Sequence, residues 1–436
     1  MFVLRRRHAL LLLPRFFAAV ASCALAAALV PSVPGAQPRH FAVTDYGAAA
    51  GSAGLNTAAI QAAIDAAAAQ GGGLVVIPAG VFRSGSIFLK AGVGLHLEAG
   101  AVLQGSENIE DYPLRMTRIE GHFQQWRMAL VNAQGIDGLQ IDGAGTLDGS
   151  GKVYWTAFWK RRKENPQCTN VEVQRPRLMF IDRCTHVRIA GITLQNSGFW
   201  NLHLYRCANV VVEGVGIFAP FAPIHAASSD GIDIDSSHDV TVRRCRIAVD
   251  DDCIALKGSK GPLADHDADS PPVENILVEQ CEFGHGNGVL TCGSEATVVR
   301  NALVRNCTVT GYTVVVCLKL RPDTPQLYEN LTFDGIRLSG GSGRLLQVLP
   351  WKQFFDLEGH APPVSTVRNI VVRNVSGDFG SFGFLDGNPG DTIEDVTLEN
   401  IQINFGQPKL EVGKVDRLIF RNVQVNGQPM AAPVKS

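Results

Sequence analysis

The run Asp239-Val240-Thr241-Val242-Arg243-Arg244-Cys245 shows the pattern that decides the fold of this 436-residue chain. A polar residue opens a short apolar strand, and a hydrophobe stands five residues after the strand's second position. This opening occurs nine times, with second positions at residues 187, 210, 240, 276, 302, 331, 370, 396 and 418, which are 22 to 39 residues apart. A propeller blade is longer and a leucine-rich repeat more uniform. The irregular spacing therefore predicts the coils of a parallel β-helix, whose loops vary while its strands stay in register.

The hydrophobes five residues further on support this stacking. They are Ile192, Val215, Cys245, Cys281, Cys307, Ile336, Val375, Ile401 and Val423. Such a ladder buries inward residues against those of the next coil, with strands about 4.8 Å apart. Helical periodicity is nearly confined to Asn56-Thr57 and the alanine-rich run to Ala66, which Gly71-Gly72-Gly73 ends. We therefore predict an all-β, single-stranded solenoid whose first coil is covered by a short N-terminal capping helix.

The chain begins with the features of an export signal: Arg5-Arg6-Arg7-His8, an apolar run through Val30, then Pro31-Ser32-Val33-Pro34-Gly35-Ala36. We predict a signal peptide over residues 1–36 and one β-helix domain over residues 37–436. Lipid anchoring at Cys23 is an alternative, because Val20-Ala21-Ser22-Cys23 resembles a lipoprotein cleavage box. No later segment approaches the roughly 20 apolar residues that span a bilayer. The expected mature protein is a monomer without a membrane span, either periplasmic or secreted.

The charge balance argues against nucleic acid as a partner. Loss of the four arginines of the leader changes the formal net charge from −2 to −6, whereas nucleic-acid binding needs a strongly basic surface. An anionic ligand would have to meet local positive charge. The candidates are Lys160-Arg161-Arg162-Lys163, whose alternative interpretation is a solvated loop, and Lys319 with Arg321.

Nine cysteines remain beyond Cys23, an odd number that cannot pair completely. Cys245, Cys281 and Cys307 share one ladder position, which favours buried free thiols acting as small hydrophobes. One or two disulfides stay open in an oxidising compartment. No Cys/His spacing indicates a metal site, and we expect no cofactor.

Polar residues of four consecutive coils share one phase beside their strands. Asp230 belongs to one coil, Asp251 and Asp252 to the next, and His285 and Lys319 to the two that follow. Three stacked carboxylates repel one another, so at least one should stay protonated near neutral pH. A protonated acid beside ionised carboxylates is what glycosidic cleavage needs. The alternatives for the acids are a calcium site and a solvated turn.

These motifs resemble those of the polygalacturonase family of glycoside hydrolases, family 28, over residues 41 to about 427. The family's Asn-Thr-Asp-Gly motif is matched by Ser228-Ser229-Asp230-Gly231 and its Gly-Asp-Asp-Cys motif by Asp250-Asp251-Asp252-Cys253. Its Gly-His-Gly is matched by Gly284-His285-Gly286 and its Arg-Ile-Lys by Cys317-Leu318-Lys319. The resemblance implies a right-handed parallel β-helix that hydrolyses galacturonate-containing pectin with inversion, without metal or cofactor.

The resemblance also implies the roles of single residues. Asp251 would be the general acid, and Asp230 with Asp252 would hold and deprotonate the attacking water. His285 would tune the protonation of the acid and contact substrate. The expected substrate-binding residues are Gly286, Lys319 and Arg321.

One departure from the family concerns specificity. Cys317 replaces an arginine of the uronate site, and a thiol cannot act as a bidentate cation. Strand alternation puts Arg321 on the same face, where it would supply the missing charge. Insertions at about 105–130, 156–180, 258–272 and 340–366 would wall off one end of a groove and favour exo action. Hydrolysis of a modified backbone such as rhamnogalacturonan, a calcium-dependent lyase and a non-catalytic carbohydrate-binding β-helix stay open.

Overall fold

The computed structural model describes residues 39–433, so the expected leader and the Cys23 alternative lie outside the described residues. The strands of successive coils pair in parallel and form three long faces of one solenoid. With its solved relatives, described below, this architecture confirms the predicted right-handed parallel β-helix. The register keeps like positions above one another, as where Val210 pairs with Val240 and Val240 with Ile276.

The first face carries the strands that open each repeat. They are His40–Ala42, Gly73–Ile77, Val93–Leu97, Gln140–Gly143, Thr185–Ala190, Ala208–Glu213, His238–Arg243, Val273–Glu279 and Val298–Arg305.

The second face consists of short strands. They are Gly80–Ser84, Ala101–Gly105, Thr146–Asp148, Thr193–Gln195, Gly216–Phe218, Arg246–Ala248, Glu282–Phe283 and Thr308–Val309.

The third face positions the candidate site. Its strands are Ile87–Phe88, Val131–Gln134, Met179–Asp182, Leu202–Tyr205, Ile232–Asp235, Ile254–Lys257, Leu290–Cys292 and Val314–Leu320. Three long strands then continue the faces, and two shorter ones end the solenoid: Leu327–Pro350, Thr366–Leu385, Thr392–Val412, Asp416–Val425 and Gln428–Pro429.

The polar residue that opens each repeat has a backbone reason. Asn275, Asn301, Asn330 and Asn369 all lie in the left-handed region, with φ between 56° and 59°, and asparagine tolerates this conformation better than most residues. Their amides also bond from coil to coil, for example from Asn369 Nδ2 to Asn330 Oδ1 at 2.6 Å. The asparagine thus fixes both the turn into the strand and the stacking of neighbouring coils.

Inside the solenoid, the predicted hydrophobic ladder is buried from Ile192 to Val423. All nine cysteines between residues 39 and 433 are buried and free. The favoured interpretation of these cysteines as small core hydrophobes is confirmed, and the alternative of one or two disulfides is wrong for the described chain.

Within residues 39–433, two helices and one hairpin are added to the strands of the solenoid. The predicted capping helix, α1, spans Thr57–Ala69. A second helix, α2, spans Lys152–Glu164 and was not predicted, because its exposed face is basic and only Tyr154, Trp155 and Phe158 are buried. An antiparallel hairpin joins Leu114–Ile119 to His122–Arg127. Three short 3₁₀ turns complete the elements: Val43–Tyr46, Ile109–Asp111 and Ala264–His266. Within the described part of the chain, no helix is long and apolar enough to cross a membrane.

Candidate active site

The third face brings the three predicted carboxylates together. Oxygen atoms of Asp230, Asp251 and Asp252 lie within 4.8 Å of one another. Asp230 and Asp252 are buried, whereas Asp251 is partly exposed. Glycine is required beside them, because a Cβ on Gly231 would lie only 2.4 Å from the Cys253 carbonyl oxygen. Close approach of adjacent coils therefore creates the cluster that the shared phase predicted.

Two buried lysines hold two of these acids. Lys319 Nζ donates to Asp252 Oδ2 at 2.6 Å, and the Thr291 hydroxyl donates to Asp252 Oδ1 at 2.8 Å. Lys257 Nζ lies 3.3 Å from Asp230 Oδ2. The three carboxylates have the chemistry of a cation site. Because the ammonium groups already neutralise two of them, a metal ion would have to compete with both lysines.

The cluster retains a proton near neutral pH. Burial raises the pKa of Asp230 to about 7, against the attraction of Lys257 and with further repulsion from Asp251 and Asp252. Burial, with repulsion from Asp252, also raises the pKa of Asp251. Groups this close titrate together, so the protons belong to the cluster rather than to one carboxyl group. The site thus has both a proton donor and ionised oxygens.

Sequence reasoning missed the acid beneath the cluster. Asp233 is fully buried, and within residues 39–433 neither of its oxygens accepts a hydrogen bond of normal geometry. Lys257 Nζ lies 3.7 Å away and is shared with Asp230 and Glu295. Burial and the neighbouring Asp230 raise the pKa of Asp233 well above its usual range. The alternation in Ile232-Asp233-Ile234-Asp235 was the available signal, because it puts Asp233 and Asp235 on the same face of the strand.

His285 lies beside the cluster but interacts with a different acid. Its Nε2 is 3.6 Å from Asp250 Oδ1, and its ring contacts Phe221 at a centroid distance of 4.1 Å. Burial lowers the pKa of His285 despite the attraction of Asp250. Next to it, Gly286 packs so tightly that a Cβ would lie 2.5 Å from Cys253 Sγ. The acid that His285 faces is therefore Asp250, whereas the family resemblance assigned it to Asp251.

Arg321 is largely engaged by the protein itself. Its Nε and Nη2 donate to Asp323 at 2.8 and 2.7 Å, and its remaining bonds reach the carbonyl oxygens of Gln353 and Phe354. Cys317 is buried, and its sulfur accepts a bond from Gln347 Nε2 at 3.5 Å. Arg321 thus mainly fixes the loop after Pro350. Few of its N–H groups are left to bind a ligand in place of an arginine at position 317.

A cavity of about 620 Å³ lies over the carboxylates. Each of the four predicted insertions contributes to its wall, through Glu120, Arg162, Lys260 and Trp351 respectively. Trp351 also lies under Lys319, whose Nζ is 4.7 Å from the ring centroid. The insertions therefore turn one side of the solenoid into a walled pocket above the acids.

A parallel β-helix that carries clustered, partly protonated carboxylates in a walled pocket has the features of a polysaccharide-cleaving enzyme. The chain belongs to the glycosyl hydrolases family 28, whose family model matches residues 72–423. The protein is therefore a glycoside hydrolase.

Individual relatives agree with this assignment. An exopolygalacturonase of Platanus acerifolia is 26% identical over 342 residues, which cover 77% of this chain and 82% of the relative. An exo-poly-alpha-D-galacturonosidase of Dickeya chrysanthemi is 28% identical over 308 residues, covering 59% of this chain and 48% of the relative. Among solved structures, the hyperthermoactive exopolygalacturonase of Thermotoga maritima has a TM-score of 0.67 at 22% identity, covering 90% of this chain and 94% of that structure. At this identity the structural match supports the fold alone.

Proposed function

We propose that the protein is an exo-acting hydrolase of galacturonate-containing pectin chains. The observation that carries the proposal is the cluster of Asp230, Asp251 and Asp252 beneath a walled pocket that is also lined by lysine and arginine side chains. Names of two relatives, an exopolygalacturonase and an exo-poly-alpha-D-galacturonosidase, support the substrate class. The four insertions in the pocket wall support exo action, because a groove closed at one end admits a chain end rather than its middle. Secretion or release into the periplasm is part of the proposal and rests on the leader sequence.

In this proposal Asp251 protonates the leaving glycosidic oxygen. It is the most exposed of the three acids and therefore the one a substrate reaches first. Its Oδ1 accepts bonds from Asn287 Nδ2 and from the Asp252 amide, both at 3.0 Å, which fixes the carboxyl orientation. Asp230 and Asp252 hold the attacking water and take its proton. Lys257 and Lys319 keep negative charge on this pair as the reaction proceeds.

We propose that the anomeric carbon is inverted. Two-carboxylate enzymes separate their acids by about 5 Å when they retain configuration and by about 6.5–9.5 Å when they invert it. The wider spacing of an inverting enzyme leaves room for a water between the sugar and the base. Thr291 and Lys319 fix the Asp252 carboxylate and Lys257 lies beside Asp230, an arrangement that suits this pair to orienting a water for attack, as inversion requires. Proton NMR of the first product formed will separate the two outcomes.

Digestion of defined oligomers tests the proposed function. Wild type and Asp251→Asn are incubated with polygalacturonan and rhamnogalacturonan oligomers, and the products are separated by size. We expect wild type to release monomeric or short galacturonate products from polygalacturonan, and the variant to be about 10² to 10⁴-fold slower. Release from rhamnogalacturonan alone would reassign the substrate, and equal rates for both proteins would reject the assignment of the acid. An Asp45→Asn variant, altered at an exposed residue outside the pocket, serves as the matched control.

A further inference from the structure

The pocket contains five cationic side chains, four of which already face an acid. Lys257 lies beside Asp230, Lys260 beside Glu120, Lys319 beside Asp252 and Arg321 beside Asp323. The fifth is Arg162, near the end of α2, which forms no ion pair within the described residues. Arg162 therefore brings an uncompensated positive charge into the pocket. The same pocket has Cys317 at the position where the family has an arginine.

The surroundings of Arg162 hold its guanidinium in place. Nη2 donates to Asn170 Oδ1 at 3.2 Å, and the group lies over the Phe158 ring at 5.0 Å and within 6.0 Å of the Phe354 ring centroid. Nε is buried without a hydrogen-bond partner. Aromatic stacking orients a planar guanidinium while leaving its outer N–H groups free. The side chain is thus pre-oriented, with donors still to be satisfied.

We propose that Arg162 binds a uronate carboxylate of the substrate and thereby determines specificity for acidic sugars. Carboxylates match the fork of an arginine with two charge-assisted hydrogen bonds, which a neutral ester cannot reproduce. This proposal gives one residue of the basic segment 160–163 a role in binding substrate. The alternative interpretation of that segment was a solvated loop. The inference rests on the proposed function and deepens it, because it assigns a substrate contact to a helix outside the family's motifs.

The test compares acidic and neutral substrates. Wild type, Arg162→Gln and Arg162→Lys are assayed on galacturonate oligomers and on the same oligomers as methyl esters. For Arg162→Gln we expect KM on the acid to rise about tenfold or more, kcat to change less than about threefold, and values on the ester to stay near wild type. Arg162→Lys should recover part of the acid preference, because it keeps the charge but loses the planar fork.

Arg161→Gln is the matched control, since Arg161 lies on the same helix, faces Glu172 and does not line the pocket. It should behave as wild type on both substrates. Thermal midpoints of all variants show whether each one folds. Equal losses on acid and ester, or no loss at all, would overturn the role of Arg162 while leaving the proposed function intact. Failure of the wild type to cleave any galacturonate oligomer would overturn the proposed function, and the inference with it.

Discussion

The contribution of the buried Asp230 to the stability of the protein should be smaller at neutral pH than at acidic pH. Burial raises its folded-state pKa from 3.8 to about 7. A group whose pKa is raised on folding contributes stability that is fully present below the unfolded pKa and is lost as pH rises through the folded pKa. At about 1.4 kcal/mol per pKa unit, a shift of about three units corresponds to roughly 4 kcal/mol lost between about pH 4 and pH 7.

Asp230→Asn removes this titration with almost no change in shape. An amide resembles the protonated acid, so variant and wild type should have similar stability near pH 4. Near pH 7.5 the variant should be more stable by up to about 4 kcal/mol. An unfolding entropy of about 2 cal/mol/K per residue over roughly 400 ordered residues makes this about 5 °C in the thermal midpoint. The variant should also lose catalysis, so that stability and activity change in opposite directions.

Calorimetry of both proteins at intervals from pH 4 to pH 8 measures the effect, since the difference between the two midpoints is the informative quantity. Asp45→Asn, at an exposed position outside the pocket, should follow the wild-type curve throughout. Parallel curves for wild type and Asp230→Asn over the whole range would refute the reasoning. They would mean that Asp230 is ionised in the folded protein at all these pH values, and that Lys257 fully offsets its burial.

Three other measurements test the site and the core. Activity should fall as pH rises, because burial and the neighbouring Asp252 raise the pKa of Asp251, which must stay protonated to act as the acid; a profile of kcat/KM that stays flat from pH 5 to pH 9 would contradict this. Chelation with EDTA should leave the rate unchanged and the products should not absorb in the ultraviolet, whereas loss of activity with absorbing products would indicate the calcium-dependent lyase. Dithiothreitol should not move the thermal midpoint, because the nine cysteines between residues 39 and 433 are free; a lower midpoint would reveal a disulfide.

The fold could be predicted because each coil repeats the same pattern of a polar residue, a short apolar strand and a buried hydrophobe. The polar residue that opens each repeat adopts a positive φ, and Asn330 and Asn369 each donate a bond to the asparagine of the preceding coil. The hydrophobe five residues after the second strand position then fills the interior. Both signals are local, so they are visible in the sequence. Helix α2 lacked such a signal, because it is held by three buried aromatic side chains on an otherwise basic surface.

The sequence predicted only those site residues that lie at equivalent points of adjacent coils. Asp230, Asp251 and Asp252 lie at equivalent points of adjacent coils, and the structure places them together. Arg321 follows the strand that carries Lys319, but it is held by Asp323 and by carbonyl oxygens of the loop after Pro350, which no periodicity describes. Contacts between a coil and an insertion depend on tertiary packing, so strand alternation alone misjudges them.

The strand Ile232–Asp235 shows that an insertion changes the pKa of an acid near the site. Asp233 and Asp235 are both fully buried, yet their pKa values move in opposite directions. Burial raises the pKa of Asp235, but the ion pair with Arg118 and the hydrogen bond with His203 outweigh it and the pKa falls. Asp233 forms no ion pair with an arginine within residues 39–433, and burial with the neighbouring Asp230 raises its pKa well above the usual range. Arg118 comes from the hairpin of the first insertion, so the segment that contributes Glu120 to the pocket wall also lowers the pKa of Asp235. The first insertion thus contributes both to the shape of the pocket and to the charge state of an acid on the strand that follows Asp230.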